Sequence, residues 1–180
     1  MLRLFYALGL GLLGAGLVHI AVLFMLPAFS ERDAWTRLSA TAGLYEVTRL
    51  DGQAGAGPIV GSLDPLFVAA ACRFDLEDGP VHLSAGGAVP FWSVSVYDRT
   101  GRNIYSFNDR TAEAGSLDLL VLTPAQTVEL RKAMPEQLQR SIFVEAEIGE
   151  GIVVVRAFIP DDSWRQLVET YLRSLACQPV

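Results

Sequence analysis

The chain has 180 residues, 51% of them hydrophobic, and a formal net charge of −6. Lys132 is the single lysine among 14 basic residues, and the arginines are scattered without a run. This pattern offers no footprint for a polyanion and excludes nucleic acid as a partner. Much of the apolar excess lies in the first 26 residues, so the remainder has room for one globular domain.

The first apolar segment, from Leu4 to Leu26, contains no Asp, Glu, Lys or Arg. As a helix its 23 residues span about 34 Å, which exceeds a hydrocarbon core of about 30 Å. A cleavable signal peptide is the alternative, but its apolar region has about 7–15 residues and ends in a small-x-small site. Leu26 would fill the −3 position if Ala28 were −1. We therefore predict an uncleaved transmembrane anchor over residues 1–28.

Charges on the two sides of this segment predict its orientation. Arg3 and the α-amino group precede it, whereas acidic and basic residues are mixed in the stretch that follows, at Glu31, Arg32, Asp33 and Arg37. The excess of positive charge on the N-terminal side places the N-terminus in the cytoplasm. The rest of the chain is then exported.

A short amphipathic helix is expected directly after the anchor, over residues 29–42. Pro27 should end the anchor, because proline interrupts a helix. Ser30, with Asp33 three residues later, can start the next helix. Trp35 and Leu38 would then hold this helix on the membrane surface.

One side of the anchor carries small residues at a period of four. Ala7, Gly11, Ala15 and His19 are each about one helical turn apart and form what we call the small-residue face. The alternative is that these small residues have no packing role, because glycines are common in all membrane helices. Because an imidazole in lipid needs a hydrogen-bond partner or a route to the interface, we predict that this face packs against another membrane protein.

The exported part, residues 43–180, shows mainly strand patterns. The predicted strands are Gly43–Arg49, Leu66–Phe74, Val81–Ala85, Phe91–Tyr97, Asn103–Phe107, Leu117–Leu122, Ile142–Ile148 and Ile152–Ile159. A glycine-rich loop is expected over Asp51–Gly61. Turn residues at Asp98–Gly101 and Gly149–Gly151 predict two hairpins.

Two helices interrupt the strands. Thr123–Gln126 combines a capping residue, a proline at the first helical position and the reciprocal glutamine, and Pro135 ends that helix. The last helix begins at Asp161 and should pack on the sheet through Trp164, Leu167, Val168, Tyr171, Leu172 and Leu175. Together these elements predict an α+β, mainly antiparallel β domain with a sandwich-like architecture.

The two cysteines are Cys72, in a predicted strand, and Cys177, beyond the last helix. Export would place them in an oxidising compartment, which favours a disulfide. The bond would close a loop of about 104 residues and stabilise the domain by roughly 4–5 kcal/mol in the chain-entropy model. Two buried free thiols remain the alternative, because a sequence does not show whether the sulfurs meet.

Side chains suited to catalysis are few in the exported domain. His82 is its single histidine, and neither a G-x-S-x-G nor a C-x-x-C motif accompanies it. Glu145 and Glu147 point to one side of a predicted strand with Arg156 on the next, which suits paired catalytic acids or a cross-strand ion pair. We favour the ion pair and predict no enzyme, catalytic residue, metal or cofactor.

Aromatic side chains surround the predicted central hairpin. Trp92, Tyr97 and Tyr105 can offer a stacking surface for a sugar, and with Glu145 and Glu147 they form a candidate ligand surface. Aromatic residues in strands are also common in cores. Both interpretations stay open from sequence.

The motif PFWSVSVYD over residues 90–98, continued by RTGRNIYS over 99–106 and NDR over 108–110, resembles the domain of unknown function 1254 family of bacterial proteins. Asp64-Pro65 fits the same family, and LVHI over residues 17–20 resembles its short, membrane-anchored proteobacterial branch. The resemblance implies an inner-membrane protein with a periplasmic β-rich domain, often accompanied by a related anchored protein. It implies no activity and lends no catalytic residues. Larger relatives have two sandwich-type β domains.

Two functional hypotheses follow. The first is a non-catalytic interaction or accessory subunit of a membrane or envelope complex, docked through the small-residue face. The second is a periplasmic module that binds or processes an envelope glycan or small molecule through the central hairpin.

Overall fold

The computed structural model describes residues 2–52, 59, 64–112 and 115–180. Its helices are α1 (Leu2–Thr41), α2 (Pro124–Lys132) and α3 (Arg165–Arg173), with short 3-10 turns at Glu136–Leu138 and Asp162–Trp164. The strands are β1 (Val47–Arg49), β2 (Phe67–Asp75), β3 (Val81–Ala85), β4 (Trp92–Asp98), β5 (Asn103–Asn108), β6 (Leu117–Leu122), β7 (Ile142–Glu145), β8 (Glu150–Phe158) and β9 (Ala176–Pro179). Most of the predicted loop Asp51–Gly61 lies outside the described residues.

The strands form two sheets. The large sheet has the order β1-β2-β8-β4-β5, and all of its pairs are antiparallel. The small sheet has the order β7-β6-β3-β9, in which β6 and β7 are parallel. The predicted α+β, mainly antiparallel β architecture behind an N-terminal apolar helix is confirmed.

The main core lies between the sheets. Successive side chains in a strand point to opposite faces, so alternate residues of each strand enter the core, for example Val94 and Val96 of β4. Helix α3 adds Val168, Tyr171 and Leu172. Trp164 and Leu167, which we expected on the same apolar face, are 39% and 45% exposed. Trp164 belongs to the 3-10 turn before α3, and Leu167 lies at the edge of the buried stripe of the helix.

A disulfide between Cys72 and Cys177 joins the two sheets, with 6.6 Å between the Cα atoms. Cys72 lies in β2 of the large sheet, and Cys177 lies in β9 of the small sheet. The predicted pairing is confirmed. Strand β9 was not predicted, because its four residues show no alternation; it forms by pairing with β3.

The prediction that Pro27 ends the first helix is wrong. Helix α1 is continuous from Leu2 to Thr41, so the expected surface helix over residues 29–42 is its extension. A proline inside a helix costs roughly 3 kcal/mol. Trp35 and Leu38 are buried against the large sheet, and this packing offsets the cost.

The predicted hairpin at Gly149–Gly151 is also wrong. Strand β7 ends at Glu145 and pairs with β6, whereas β8 lies in the other sheet between β2 and β4. Gly151 is needed for packing, because a Cβ at this position would lie 2.7 Å from the carbonyl oxygen of Tyr97. The glycine therefore marks close approach of two strands rather than a turn.

Candidate functional site

The last turns of α1 pack on the outer face of the large sheet, the face turned away from the small sheet. Trp35 and Leu38 form a second apolar cluster there with residues of β2 and β8 and with the residue that follows β1, namely Leu50, Ala69, Ala71, Ile152 and Val154. These alternate with the core residues of the same strands, as strand geometry requires. Both faces of the large sheet are therefore apolar near α1.

Two arginines hold the end of α1 in place. The guanidinium carbons of Arg73 and Arg99 lie 5.0 Å and 5.4 Å from the ring centroid of Trp35, at cation–π distance. Arg73 Nη2 also donates a hydrogen bond of 2.7 Å to the carbonyl oxygen of Ala42, directly after the helix. A cation at a helix C-terminus complements the helix dipole. The C-terminal end of α1 is thus fixed to the domain.

A cavity of about 620 Å³ lies beside this docking site, and we call it the sheet pocket. Its described lining is mostly apolar and comes from α1, the large sheet and flanking segments: Ala34, Leu38, Leu50, Ile59, Asp64, Phe67, Ala69, Phe91, Ser93, Tyr97, Gly101, Ile152, Val154 and Arg156. Ligand pockets have volumes of about 300–1,000 Å³. The sheet pocket is of that size.

The pocket exists because small residues form its floor. In the pairing register Arg156 of β8 stands between Ala69 of β2 and Ser93 of β4. In the next outward-facing row, Val154 stands between Ala71 and Ser95. Of these small residues, Ala69 and Ser93 line the cavity, and they leave a hollow beside α1 that larger side chains would fill.

Arg156 and Tyr97 are the central polar groups of the pocket. Arg156 Nη2 donates a hydrogen bond of 3.3 Å to the Tyr97 hydroxyl. Burial alone would raise the pKa of Tyr97, but hydrogen bonds with Arg156, Ser95 and Asn103 and the charge of Arg156 lower it below its usual value. The phenol therefore accepts hydrogen bonds in a positively charged environment.

Arg156 is the only cation among the described lining residues, and Asp64 is the only carboxylate. Asp64 Oδ1 accepts a hydrogen bond of 2.9 Å from the backbone N–H of Leu66, and this bond holds it in a local turn. Within the described chain, Arg156 forms no ion pair. The pocket thus combines an apolar wall with one cation that is not paired with any described carboxylate.

The candidate ligand surface predicted from sequence is divided by the fold. Tyr97 lies on the outer face in the sheet pocket, whereas Trp92 is 1% exposed in the core and donates a hydrogen bond to the carbonyl oxygen of Gly115. Tyr105 pairs with Val96 on the inner face. The interpretation of a shared stacking surface is therefore wrong for Trp92 and Tyr105, because the sheet separates them from Tyr97.

Glu145 and Glu147 also lie elsewhere. Glu145 is the last residue of β7 in the small sheet, Glu147 follows the strand, and both are exposed. Arg156 lies in the large sheet. The predicted cross-strand pairing of these acids with Arg156 is wrong, because the chain changes sheets between β7 and β8.

His82 has partners that its sequence context did not reveal. Its Nε2 lies 2.8 Å from Asp118 Oδ1, and Ser141 Oγ donates to the same oxygen at 2.7 Å. A catalytic triad needs the serine on the histidine, whereas here both polar groups bind the carboxylate. Among the described residues no group of three or more His, Cys, Asp or Glu side chains is arranged to hold a metal ion.

The small-residue face of α1 is exposed along its length. Ala7, Gly11, Ala15 and His19 all lie at the surface, and a Cβ at Gly11 would meet no described atom within 4 Å. The segment Leu2–Met25 is long and apolar enough to cross a membrane, a property that a signal sequence shares.

Comparison with known proteins assigns the family. Residues 64–179 match a family described as "Protein of unknown function (DUF1254)", which is more than half of the chain. The chain belongs to this family. The matched region of this DUF1254 member includes every strand except β1, together with the sheet-pocket residues of β2, β4 and β8. No curated protein matches the chain.

Two solved structures share the fold. The VPA0106 protein from Vibrio parahaemolyticus superposes with a TM-score of 0.59 at 12% identity, over 83% of this chain and 35% of that one. An uncharacterised protein from Burkholderia cenocepacia gives 0.51 at 14% identity, over 83% and 39%. The chain thus spans little more than a third of the length of these two structures.

Sequence reasoning missed the pocket residues Arg156 and Ser93 as a site. A weak signal was present: Ala69, Ala71, Ser93 and Ser95 are small residues at alternate positions of two strands. Small residues on one face can equally mean close packing, so the pattern alone did not distinguish a pocket from a packed surface.

Proposed function

We propose that this protein is a single-pass inner-membrane protein whose periplasmic domain is a non-catalytic binding module for a small, mainly apolar molecule. The observation that carries the proposal is the sheet pocket, an apolar cavity of about 620 Å³ with the cation Arg156 in its floor. A pocket with a few convergent polar groups is the usual form of a small-molecule site.

The membrane placement rests on three features. The apolar segment Leu2–Met25 has 24 residues, or about 36 Å of helix. Arg3 precedes it, which favours a cytoplasmic N-terminus. The disulfide Cys72–Cys177 suits an oxidising compartment such as the periplasm. A C-terminal alkaline phosphatase fusion should be active in cells, and an inactive fusion would contradict this orientation.

The binding function can be tested by closing the pocket. In Ser93→Phe a ring would occupy the floor from a partly exposed strand position, so the core should be unaffected. Ser84→Phe is the matched control, because Ser84 is a partly exposed strand serine of the small sheet. The full chain in detergent would be screened with apolar small molecules and envelope glycans for ligand-induced increases in Tm.

We expect apolar small molecules to raise the Tm of the wild type and of Ser84→Phe, but not of Ser93→Phe. A panel in which no compound stabilises the wild type more than Ser93→Phe would reject the pocket as a binding site. A glycan that stabilises all three variants equally would place the ligand elsewhere.

A second candidate function is an accessory subunit that docks on another membrane protein, such as a related anchored protein. It is favoured by the exposure of Ala7, Gly11, Ala15 and His19 on one side of α1, since small residues allow close helix contact in lipid. Gly11→Leu or Ala15→Leu should dissociate a larger complex in detergent extracts. Gly9→Leu, on the opposite side of α1, should not, and an unaltered assembly in all variants would end this proposal.

A further inference from the structure

We infer that the ligand of the sheet pocket is a single-chain amphiphile with a carboxylate head, held by Arg156 with the chain against the apolar wall. This inference rests on the proposed binding function and adds the chemical class of the ligand. It follows from the charge of the pocket, its shape and its position beside α1.

Arg156 supplies the positive charge of the sheet pocket. Its side chain is partly buried and forms no ion pair within the described chain, and its hydrogen bond to Tyr97 is to a neutral group. A partly buried cation without a counter-ion is unfavourable. A ligand anion at this position would give Arg156 an ion-pair partner that the described residues do not supply, and arginine binds planar carboxylates through two parallel hydrogen bonds.

The size of the charge favours a carboxylate over a phosphate. Arg156, the one cation among the described lining residues, matches one negative charge, whereas a phosphate monoester would bring nearly two into a pocket that also contains the carboxylate of Asp64. A diacyl lipid carries a single charge in its phosphodiester, but two long chains exceed a drug-sized cavity of about 620 Å³. A single acyl chain with a carboxylate fits both limits.

The wall is suited to an alkyl chain. Aliphatic side chains line it from α1, from the segment after β1 and from β8: Ala34, Leu38, Leu50, Ile59, Ile152 and Val154. The rings of Phe67 and Phe91, 6.4 Å apart, lie at the pocket beside the start of β2 and β4. Each methylene buried there should raise the affinity about fourfold until the wall is covered.

The position of the pocket favours loading from the bilayer. Ala34 is nine residues beyond Met25, the end of the apolar segment, which is about 14 Å along a continuous helix. The pocket is therefore held close to the surface of the membrane that α1 would span. The same carboxylate can also arrive from solution, so the experiment needs an arm for each source.

The test uses the full chain in phosphatidylcholine nanodiscs, with empty nanodiscs to subtract partitioning. Equilibrium binding of labelled dodecanoate and of neutral dodecanol would be measured for the wild type and Arg156→Gln. We expect dodecanoate to bind Arg156→Gln about tenfold to a hundredfold more weakly, as for a lost charged hydrogen bond. Dodecanol should bind both proteins equally, which also shows that the variant is folded.

Two further variants sharpen the result. Arg165→Gln removes one positive charge at the start of α3, outside the pocket, and should leave dodecanoate binding unchanged. Arg156→Lys keeps the positive charge but lacks the planar guanidinium that binds a carboxylate through two hydrogen bonds. It should bind dodecanoate more tightly than Arg156→Gln and more weakly than the wild type. If Arg165→Gln weakened dodecanoate binding as much as Arg156→Gln, the effect would come from the net charge of the protein. That result would reject the head-group site.

The remaining outcomes separate the two proposals. Equal binding of dodecanoate and dodecanol to the wild type, unchanged in Arg156→Gln, would overturn the carboxylate head while the pocket remains a binding site. Failure of both ligands to bind the wild type above empty nanodiscs would overturn the binding function itself.

The source is tested by comparing octanoate, supplied in solution, with hexadecanoate carrying a photoreactive diazirine, supplied only in the nanodisc bilayer. Crosslinking of hexadecanoate to the pocket segment of β8 would support loading from the membrane. Binding of octanoate without crosslinking of hexadecanoate would support the carboxylate class and reject the bilayer as its source.

Discussion

The carboxylate of Asp98, at the end of β4, organises the turn to β5. Its Oδ1 accepts hydrogen bonds from the backbone N–H groups of Thr100 and Arg102 at 2.9 Å and 3.0 Å and from the Thr100 hydroxyl at 2.6 Å. Arg102 Nε donates to Oδ2 at 3.0 Å. Burial alone would raise the pKa of Asp98, but these hydrogen bonds outweigh it and lower the pKa.

Asp98→Asn should therefore destabilise the domain by about 1–3 kcal/mol, because the amide nitrogen in the place of Oδ2 cannot accept from Arg102 Nε and the bonds to Oδ1 lose their charge assistance. A lowered folded-state pKa gives stability that is present above the unfolded value of about 3.9 and lost as the pH falls. The difference between wild type and variant in urea unfolding should thus shrink in acid. Asp162→Asn, at an exposed ion pair, is the control and should change little.

Tyr45, in contrast to Asp98, has a raised pKa. Burial, followed by the hydrogen bond of its hydroxyl to Asp78 Oδ2 at 2.7 Å, raises its pKa to about 12. The protonated phenol stabilises the fold below an unfolded pKa of about 10, and this contribution is lost as the pH rises through about 12.

Replacing Asp78 with Ala should lower the titration midpoint of Tyr45, without reaching the ordinary value because burial remains. Tyrosinate absorbance would be recorded with and without Tyr45→Phe, and the difference isolates this residue from the other tyrosines. An unchanged midpoint in Asp78→Ala would show that Asp78 does not hold the proton.

The two ends of helix α1 lie in different environments, one exposed and one packed on the large sheet. Its N-terminal part is exposed and apolar, whereas Trp35 and Leu38 near its C-terminus are buried on the large sheet. The helix is continuous between these two parts.

Trp35→Ala should release the end of α1 from the sheet, with a loss of roughly 3–5 kcal/mol of docking energy. The main core does not include Trp35, so the domain should remain folded. Hydrogen exchange should accelerate over residues 34–41 and leave β6 protected. Trp164→Ala, at a half-exposed tryptophan of the last 3-10 turn, should leave α1 exchange unchanged.

Strands β6 and β7 show why an element can be predicted while its partner is not. The apolar run Leu117–Leu122 predicted β6 correctly, and the pattern from Ile142 predicted the start of β7. Glycines after β7 resemble a hairpin turn, but β7 pairs in parallel with the edge of β6, where Val144 enters the main core beside Val121. The choice of a strand partner depends on such long-range burial, which the local residues do not encode.

At the scale of the whole molecule, the disulfide Cys72–Cys177 ties the sheets across a separation of 105 residues. Reduction should lower the free energy of unfolding by roughly 4–5 kcal/mol in the chain-entropy model. Urea unfolding of the full chain in detergent, with and without reductant, measures this. The double variant Cys72→Ser with Cys177→Ser should match the reduced protein and become insensitive to reductant; a variant that still responds would contradict this account.

The sequence by itself determined the apolar N-terminal helix, the strand-rich domain, the two cysteines available for pairing and the family. These depend on local periodicity, composition and motifs, which a linear chain displays directly. The sheet pocket was decided by the tertiary structure. It needs Ala69, Ser93 and Arg156 from three strands in register and α1 beside them. These residues come together because Trp35 is buried on the large sheet and because β8 lies in that sheet between β2 and β4. Both contacts are long-range, so no single segment of the sequence specifies them.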